Sequence, residues 1–201
     1  YPPKQIEVER DDLSQKMYEL VEKKNYLDKA PVLISLSEDY FIGVKGNIRN
    51  KIAFIRNLIL QLAFTHSYDE VKIALVGKKS NLKELEFVKY LPHNWSNDKD
   101  IRFYAESRAD VQQLATFLNK VLEDHGSNNK SKIISKFPSY VVIVFDKELY
   151  DYIEAFKVVC DKGEYCGISL LAAFDNMPKE CSKLFCLGPD NQLIDLYEPE
   201  N

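Results

Sequence analysis

A run of six apolar residues decides the fold class of this chain. It reads YVVIVF at positions 140–145 and is followed directly by Asp146 and Lys147. A continuous β-branched run of this length is typical of a central strand that is buried on both faces, as the strands of parallel sheets are. The run therefore predicts an α/β protein whose sheet is covered by helices.

Further strands and helices are predicted on both sides of this run. The sequence predicts strands at 32–36, 40–44, 71–76, 101–105 and 167–173, and two short strands between 183 and 196. Apolar residues at helical spacing predict helices at about 11–27, 48–64, 82–88, 109–122 and 150–160. Turns or loops are predicted at 38–39 (a hairpin), 90–95, 125–132 and 188–191. Strands that alternate with helices imply parallel βαβ units, so we expect a mainly parallel sheet with helices on both faces.

Length and composition indicate one domain over residues 1–201, with an α/β core at about 31–196. The net charge is −4 and the basic residues are scattered among acids, which leaves no basic patch for nucleic acid. No apolar run reaches the ~20 residues that cross a bilayer. Because the chain begins with Tyr1 rather than Met, we expect it to be a piece of a longer protein.

The segment between the strand at 40–44 and the helix at 48–64 has the layout of a phosphate-binding loop. In the motif G-x-x-x-x-G-K-[ST], the glycines let backbone N–H groups wrap the phosphates, the lysine reaches the β/γ oxygens and the hydroxyl holds Mg²⁺. Lys51 occupies the lysine position, but Lys45 and Asn50 occupy the glycine positions and Ile52 the hydroxyl position. Isoleucine cannot ligate Mg²⁺ and a Cβ resists the tight cradle, so the motif is degenerate.

The other half of a nucleotide site would follow the central strand. Asp146 stands where a Walker B carboxylate would sit, but the next position, often a water-polarising Glu, holds Lys147. Lys147 cannot be a base at neutral pH without a large depression of its pKa. Asp146 has an alternative interpretation as a helix N-cap or an ion-pair partner. We therefore predict a degenerate nucleotide site with no catalytic residue and no metal, formed by Lys45, Asn50, Lys51, Ile52, Asp146 and Lys147.

Two groups of potential metal ligands favour a simpler interpretation. The spacings of Cys160, Cys166, Cys181 and Cys186 do not fit the paired C-x₂₋₄-C pattern of zinc sites, and their apolar surroundings predict buried free thiols. The acidic stretch at 97–100 lacks the regular oxygen spacing of a Ca²⁺ loop, so we expect a solvated turn.

Two histidines and the single tryptophan lie in predicted loops. His66 and His93 each neighbour an aromatic residue, but no nucleophile or acid partner stands at a suitable spacing, so we expect structural roles. Trp95 could contact a partner protein, since tryptophan is enriched at interface hot spots, or it could close the end of the core.

Three stretches of the chain resemble a known family. They read NLILQLAFTHSYDEVK at 57–72, KYLPHNW at 89–95 and IRF at 101–103. Together they look like the membrane-anchored FtsK/SpoIIIE-type ATPases of type VII secretion in Gram-positive bacteria, the EssC/YukB group, with EccC in actinobacteria. The resemblance extends from about Leu33 to Leu187. It is closest to the degenerate domain that follows two transmembrane helices and precedes the tandem ATPase domains.

This resemblance implies a RecA-like P-loop fold with degenerate Walker motifs, in the cytoplasmic part of a cell-membrane protein. It implies an altered polar sensor in the region of Asp175, Asn176 and Pro178. The implied partners are the adjacent ATPase domains of the same chain, membrane components of the secretion machinery and copies of itself in a hexamer. ATP and Mg²⁺ are expected in the other domains of the parent protein, and no cofactor in this one.

Three functions are compatible with these residues. The first is a pseudo-ATPase module that couples the membrane segment of a secretion motor to its active domains without hydrolysing ATP. The second is a sensor that binds ATP without turnover through the remnants Lys51 and Asp146. The third is a slow ATPase completed by an arginine of a neighbouring subunit. Arg49 and Arg56 lie near the candidate site, but their spacing marks neither as such a residue.

Overall fold

The computed structural model describes residues 33–127, 138–162, 166–188 and 193–195. The predicted helix at 11–27, loop residues 128–132 and turn residues 189–191 lie outside the described residues. Contacts divide the chain between Leu33 and Ile34, and every described strand and helix belongs to the unit Ile34–Asn201. The extent of a single domain over 1–201 therefore stays a prediction.

The described residues form strands and helices that alternate along most of the chain. In order, they are β1 (Phe41–Lys45), α1 (Ile48–Thr65), β2 (Val71–Val76), α2 (Lys79–Leu82), 3-10 helices at Lys83–Tyr90 and Pro92–Asn94, β3 (Tyr104–Ala105), α3 (Arg108–Ser127), β4 (Ser139–Val144), α4 (Lys147–Tyr152), α5 (Glu154–Lys162), β5 (Ile168–Ala172), β6 (Lys183–Leu187) and β7 (Leu193–Asp195).

The strands form one sheet in the order β3-β2-β4-β5-β1-β6-β7. All neighbouring pairs from β3 to β6 are parallel, and β7 alone pairs antiparallel, with β6. This topology confirms the predicted mainly parallel sheet. The apolar run at 140–145 supplies β4, which lies between β2 and β5 and is buried along nearly its whole length.

Helices cover both faces of the sheet, as predicted. On one face, α1 packs Ile52, Ile55 and Ile59 against the inner strands, together with Leu85 and Val88 of the first 3-10 helix. On the other face, α3, α4 and α5 pack against the alternate residues of the same strands. Successive residues of a strand point to opposite faces, so β4 divides its apolar side chains between the two cores.

The predicted strand at 32–36 is wrong for its described residues, 33–36. Their backbone forms a turn in which the Ser35 carbonyl accepts hydrogen bonds from the N–H groups of Glu38 and Asp39, at 3.2 and 2.7 Å. The predicted hairpin with β1 is therefore absent as well. Ile34 and Leu36 still pack on the core, but both edges of β1 are already occupied by β5 and β6.

Other elements differ from prediction in extent. The predicted loop at 90–95 contains the 3-10 helix Pro92–Asn94, and the helix predicted at 82–88 is largely 3-10 in character. α3 extends to Ser127, so residues 125–127 are helical rather than loop. The helix predicted at 150–160 is two helices, because Ile153 adopts an extended conformation between α4 and α5 and is itself fully buried.

Candidate functional site

The connection between β1 and α1 is much shorter than a phosphate-binding loop. β1 ends at Lys45 and α1 begins at Ile48, so only Gly46 and Asn47 lie between them. Gly46 has a φ of 141°, and a Cβ there would lie 3.0 Å from the Cβ of Leu187. This tight turn therefore requires glycine.

The first turn of α1 is capped by the protein itself. The Asn47 side chain accepts a hydrogen bond from the Asn50 N–H at 2.8 Å, and the Asn47 carbonyl accepts one from the Lys51 N–H at 3.0 Å. N–H groups at a helix start can bind an anion only where they are free. Residues 45–50 thus form a strand end, a turn and a helix start, in which the Asn50 N–H is already occupied by the Asn47 side chain.

The predicted site residues of this segment have separate environments. Lys45 ends β1, half-buried, and Asn50 donates from Nδ2 to the Gly188 carbonyl at 2.8 Å. Ile52, at the hydroxyl position of the motif, is buried in the core beneath α1. Lys51 is the fourth residue of α1, which begins at Ile48 as predicted.

Lys51 is a buried cation paired with an exposed anion. Its Nζ lies 3.0 Å from Oδ1 of Asp175, a residue that follows β5. The Lys51 side chain is 7% exposed, whereas that of Asp175 is 84% exposed. A buried ammonium group needs a counter-charge or hydrogen-bond acceptors, and the Asp175 carboxylate supplies one.

Asp146 is held in two ways at the end of β4. It is the N-cap of α4, because its carboxylate accepts from the N–H groups of Glu148 and Leu149 at 3.0 and 3.4 Å. Its other oxygen lies 3.1 Å from Nζ of Lys78, which also lies 3.3 Å from Glu148. The hydrogen bonds of Lys78 with Asp146 and, to a smaller extent, with Glu148 raise the pKa of Lys78. The interpretation of Asp146 as an N-cap and ion-pair partner is confirmed.

The two halves of the predicted site are neutralised separately. β5 lies between β1 and β4 in the sheet. Lys51, in the helix after β1, and Asp146, directly after β4, each contact a partner of their own. Nζ of Lys147 lies 3.7 Å from Oδ1 of Asp151, one turn further along α4, and both side chains are exposed.

The sequence analysis did not anticipate Lys78 or the contact of Asp175 with Lys51. A usable signal existed, because both residues follow strands whose carboxyl ends meet at the same edge of a parallel sheet.

The segment 92–95 has a structural role at the start of β3. Asn94 is fully buried, and its Nδ2 donates to the carbonyls of Ile73 in β2 and Phe103, at 2.8 and 2.7 Å. The Phe103 N–H in turn donates to the Asn94 carbonyl at 2.8 Å. Asn94 thus takes the place of a strand pairing, which explains why the predicted strand 101–105 is reduced to Tyr104–Ala105.

His93 ties the same segment to the end of α1. It is buried, and its Nε2 lies 3.0 Å from the His66 carbonyl, so Nε2 carries the proton. His66 is exposed and its Nδ1 contacts the Thr65 hydroxyl at 3.2 Å. These contacts support the structural roles predicted for both histidines.

Trp95 is half-buried beside an open polar groove of about 360 Å³. The guanidinium carbon of Arg102 lies 4.4 Å from the centre of its ring. Charged side chains of the groove make contacts within the chain: Lys89 lies 3.4 Å from Glu106, and Asp110 accepts hydrogen bonds from Ser107. Both interpretations of Trp95, closure of the core and contact with a partner, therefore stay predictions.

The four cysteines and the acidic stretch 97–100 were the two groups of potential metal ligands in the sequence. None of the four cysteines, all of which the structure describes, forms a disulfide. Cys166 is buried, whereas Cys160, Cys181 and Cys186 are half-buried, which corrects the expectation that all are buried. Burial raises the pKa of the Cys160 and Cys181 thiols. In the part of the chain that the structure describes, no group of three or more potential ligands comes together. The stretch 97–100 is an exposed turn, with Lys99 at a φ of 59°.

The parallel sheet with helices on both faces is that of a RecA-like α/β fold. Solved structures agree with this class. EssC (ATPases 2 and 3) from Geobacillus thermodenitrificans matches with a TM-score of 0.58 over 74% of this chain and 32% of that chain, at 14% identity. No protein-family model matches the chain.

The chain is similar in sequence to EssC and EccC proteins. It is 24% identical over 184 residues to the type VII secretion system protein EssC of Staphylococcus aureus strain MSSA476, in an alignment that covers 87% of this chain. It is also 24% identical over 165 residues to the ESX secretion system protein EccC of Geobacillus thermodenitrificans. The alignment spans 12% of the length of that EssC protein. Among the described helices, none combines the length and the apolar character needed to cross a membrane.

Proposed function

We propose that this chain is a non-hydrolysing module of a type VII secretion motor, with an ATPase fold that serves architecture rather than catalysis. The similarity to EssC and EccC supports the motor, and the altered nucleotide site supports the absence of hydrolysis. The module would lie in the cytoplasmic part of a cell-membrane protein and would couple the membrane segment to the downstream ATPase domains.

The observation that carries this proposal is the two-residue connection between β1 and α1. A phosphate-binding loop exposes several backbone N–H groups around the phosphates. Here the helix begins three residues before Lys51, and Asn47 uses its own side chain to cap the first turn. Even a substitution that restored a hydroxyl at Ile52 would therefore leave fewer backbone N–H groups around the phosphates than a phosphate-binding loop provides.

The chemistry after β4 supports the same conclusion. Hydrolysis needs a carboxylate free to orient Mg²⁺ or water. The Asp146 carboxylate caps α4 and pairs with Lys78, and the following residue is a cation turned toward Asp151. No group in this arrangement acts as a general base. The module would need no cofactor of its own, whereas ATP and Mg²⁺ would act in the neighbouring domains.

Titration calorimetry with ATP tests the proposal, with and without Mg²⁺, together with a phosphate-release assay. We expect no hydrolysis and no heat of binding at millimolar ATP, for both the natural chain and Lys51→Ala. Phosphate release by the natural chain that disappears in Lys51→Ala would overturn the proposal.

A second candidate function is an ATP sensor without turnover. It is favoured by one observation: Lys51 remains buried at the helix start, and its partner Asp175 is almost fully exposed. Binding of ATP that needs Lys51 and produces no phosphate would favour this alternative over the purely architectural role.

The coupling role predicts partners, namely the adjacent ATPase domains, membrane components of the machinery and further copies in a hexamer. Trp95 and its stacked Arg102 offer an exposed candidate contact. In a motor that contains this chain, we expect Trp95→Ala to lower secretion without changing ATP hydrolysis by the other domains. Tyr152→Ala removes an exposed aromatic on a different surface and serves as the control.

A further inference from the structure

Lys51 has the properties of an anion-binding group, and its anion in this structure is the Asp175 carboxylate. It lies in the first turn of an 18-residue helix, where the helix dipole favours negative charge, and 5% of the residue is exposed. A lysine so deeply placed cannot turn its ammonium group to bulk solvent without rearrangement of the helix start. Its charge therefore stays directed at one position near the end of β1.

Asp175 reaches that position from the neighbouring strand. β5 pairs with β1 in parallel, with Gly43 beside Ala172, so the loops after the two strands lie next to each other. A single oxygen of the carboxylate contacts Nζ, at 3.0 Å, and most of the side chain is in solvent. The cation is fixed and the anion is not, so the contact can open only by movement of Asp175.

We propose that Asp175 is a built-in anion that occupies the position of a phosphate oxygen at Lys51 and thereby keeps external phosphates from binding there. This inference rests on the proposed non-hydrolysing function and gives it a mechanism. The carboxylate opposes an incoming anion twice, because it competes for the ammonium group and repels the negative charge. Its local concentration is high, because the carboxylate is tethered to the same sheet edge.

Removal of the Asp175 charge should therefore expose a latent anion site. In Asp175→Asn, we expect inorganic pyrophosphate to bind on the order of tenfold more tightly than in the natural chain, the combined effect of lost competition and lost repulsion. Pyrophosphate without metal is the probe, because it presents the phosphate charge without a nucleoside or Mg²⁺.

Three further variants make the test specific. Asp175→Glu keeps the charge and should bind pyrophosphate as the natural chain does. Glu180→Gln removes an exposed carboxylate from the same loop and should also leave the affinity unchanged. In Asp175→Asn combined with Lys51→Met, the gain should be lost. Circular dichroism confirms that each variant is folded.

Calorimetry and phosphorus NMR measure the affinities. Equal affinity of the natural chain and Asp175→Asn overturns the inference, and so does a gain that persists when Lys51 is replaced by Met. These outcomes are distinct from failure of the proposed function, which would appear as ATP hydrolysis by the natural chain.

Discussion

Two polar contacts hold loops to the sheet, and they differ in how deeply both partners are buried. At the β3 edge, the fully buried Asn94 side chain donates to two backbone carbonyls. At the end of β1, Lys51 is buried but its partner Asp175 is 84% exposed. The first contact cannot open without leaving buried polar groups unsatisfied, whereas the second can exchange its anion for water.

This difference distinguishes residues that hold the fold together from the residues of the predicted nucleotide site. Asn94 and His93 lie in the stretch KYLPHNW, which contributes to the resemblance to secretion ATPases, and both bind backbone groups of the fold. The residues at the degenerate motif make contacts that are mostly ion pairs or helix caps. The contacts of Asn94 and His93 thus serve the fold, whereas those of Lys51 and Asp146 involve charged groups.

Among the substitutions that test this difference, Asn94→Ala should have the largest effect on stability. We expect the free energy of unfolding to fall by up to about 3 kcal/mol, since a buried group left without a hydrogen bond costs about 1–3 kcal/mol. The Ile73 carbonyl is such a group, whereas the Phe103 carbonyl keeps a hydrogen bond from the Leu75 N–H. Urea denaturation followed by circular dichroism measures the change. Asn97→Ala, on the exposed turn nearby, should alter stability by less than about 0.5 kcal/mol. Equal effects of the two substitutions would contradict a structural role for Asn94.

Gly46→Ala tests whether the short connection between β1 and α1 requires glycine. A Cβ at a φ of 141° and 3.0 Å from Leu187 introduces backbone and contact strain, so we expect a loss of about 2 kcal/mol. The same denaturation measurement applies, with the exposed Asn57→Ala on α1 as the control. A loss confined to the control's range would show that the turn can relax.

A pair of substitutions at Asp146 separates its cap from its charge. Asp146→Ala should lower the free energy of unfolding by about 1 kcal/mol, the usual worth of an N-cap. Asp146→Asn keeps an oxygen that can cap α4 but loses the charge that pairs with Lys78, so its loss should be smaller. Thermal unfolding compares them, and an equal loss in both variants would assign the stabilisation to the ion pair instead.

The smallest expected effect belongs to Asp175→Asn. The carboxylate is largely exposed, but its removal leaves the buried Lys51 ammonium without its counter-charge. An asparagine oxygen can still accept a hydrogen bond from that ammonium, so we expect a loss of no more than about 1 kcal/mol. Lys51→Met removes a buried charge and should be neutral or mildly stabilising. A destabilisation by Asp175→Asn as large as that by Asn94→Ala would remove the distinction between the two contacts.

Periodicity predicted the main helices and the parallel sheet, because burial on both faces demands continuous apolar runs such as 140–145 and helical spacing such as that of 48–64. It failed at 33–36, the described part of the predicted strand, where the apolar residues Ile34 and Leu36 pack on the core without a strand partner. It also overextended β3, because a buried asparagine replaces the strand pairing there. Local sequence carries no information on which neighbour occupies each edge of a strand.

For the candidate site, residue types alone predicted that Ile52 cannot ligate Mg²⁺ and that Lys147 is no base, since both follow from side-chain chemistry. The pairings of Lys51 with Asp175 and of Asp146 with Lys78 were decided only by the tertiary structure. Each joins residues more than 60 positions apart in the chain. Parallel strands bring their carboxyl ends to one edge of the sheet, but only the strand order determines which loops become neighbours.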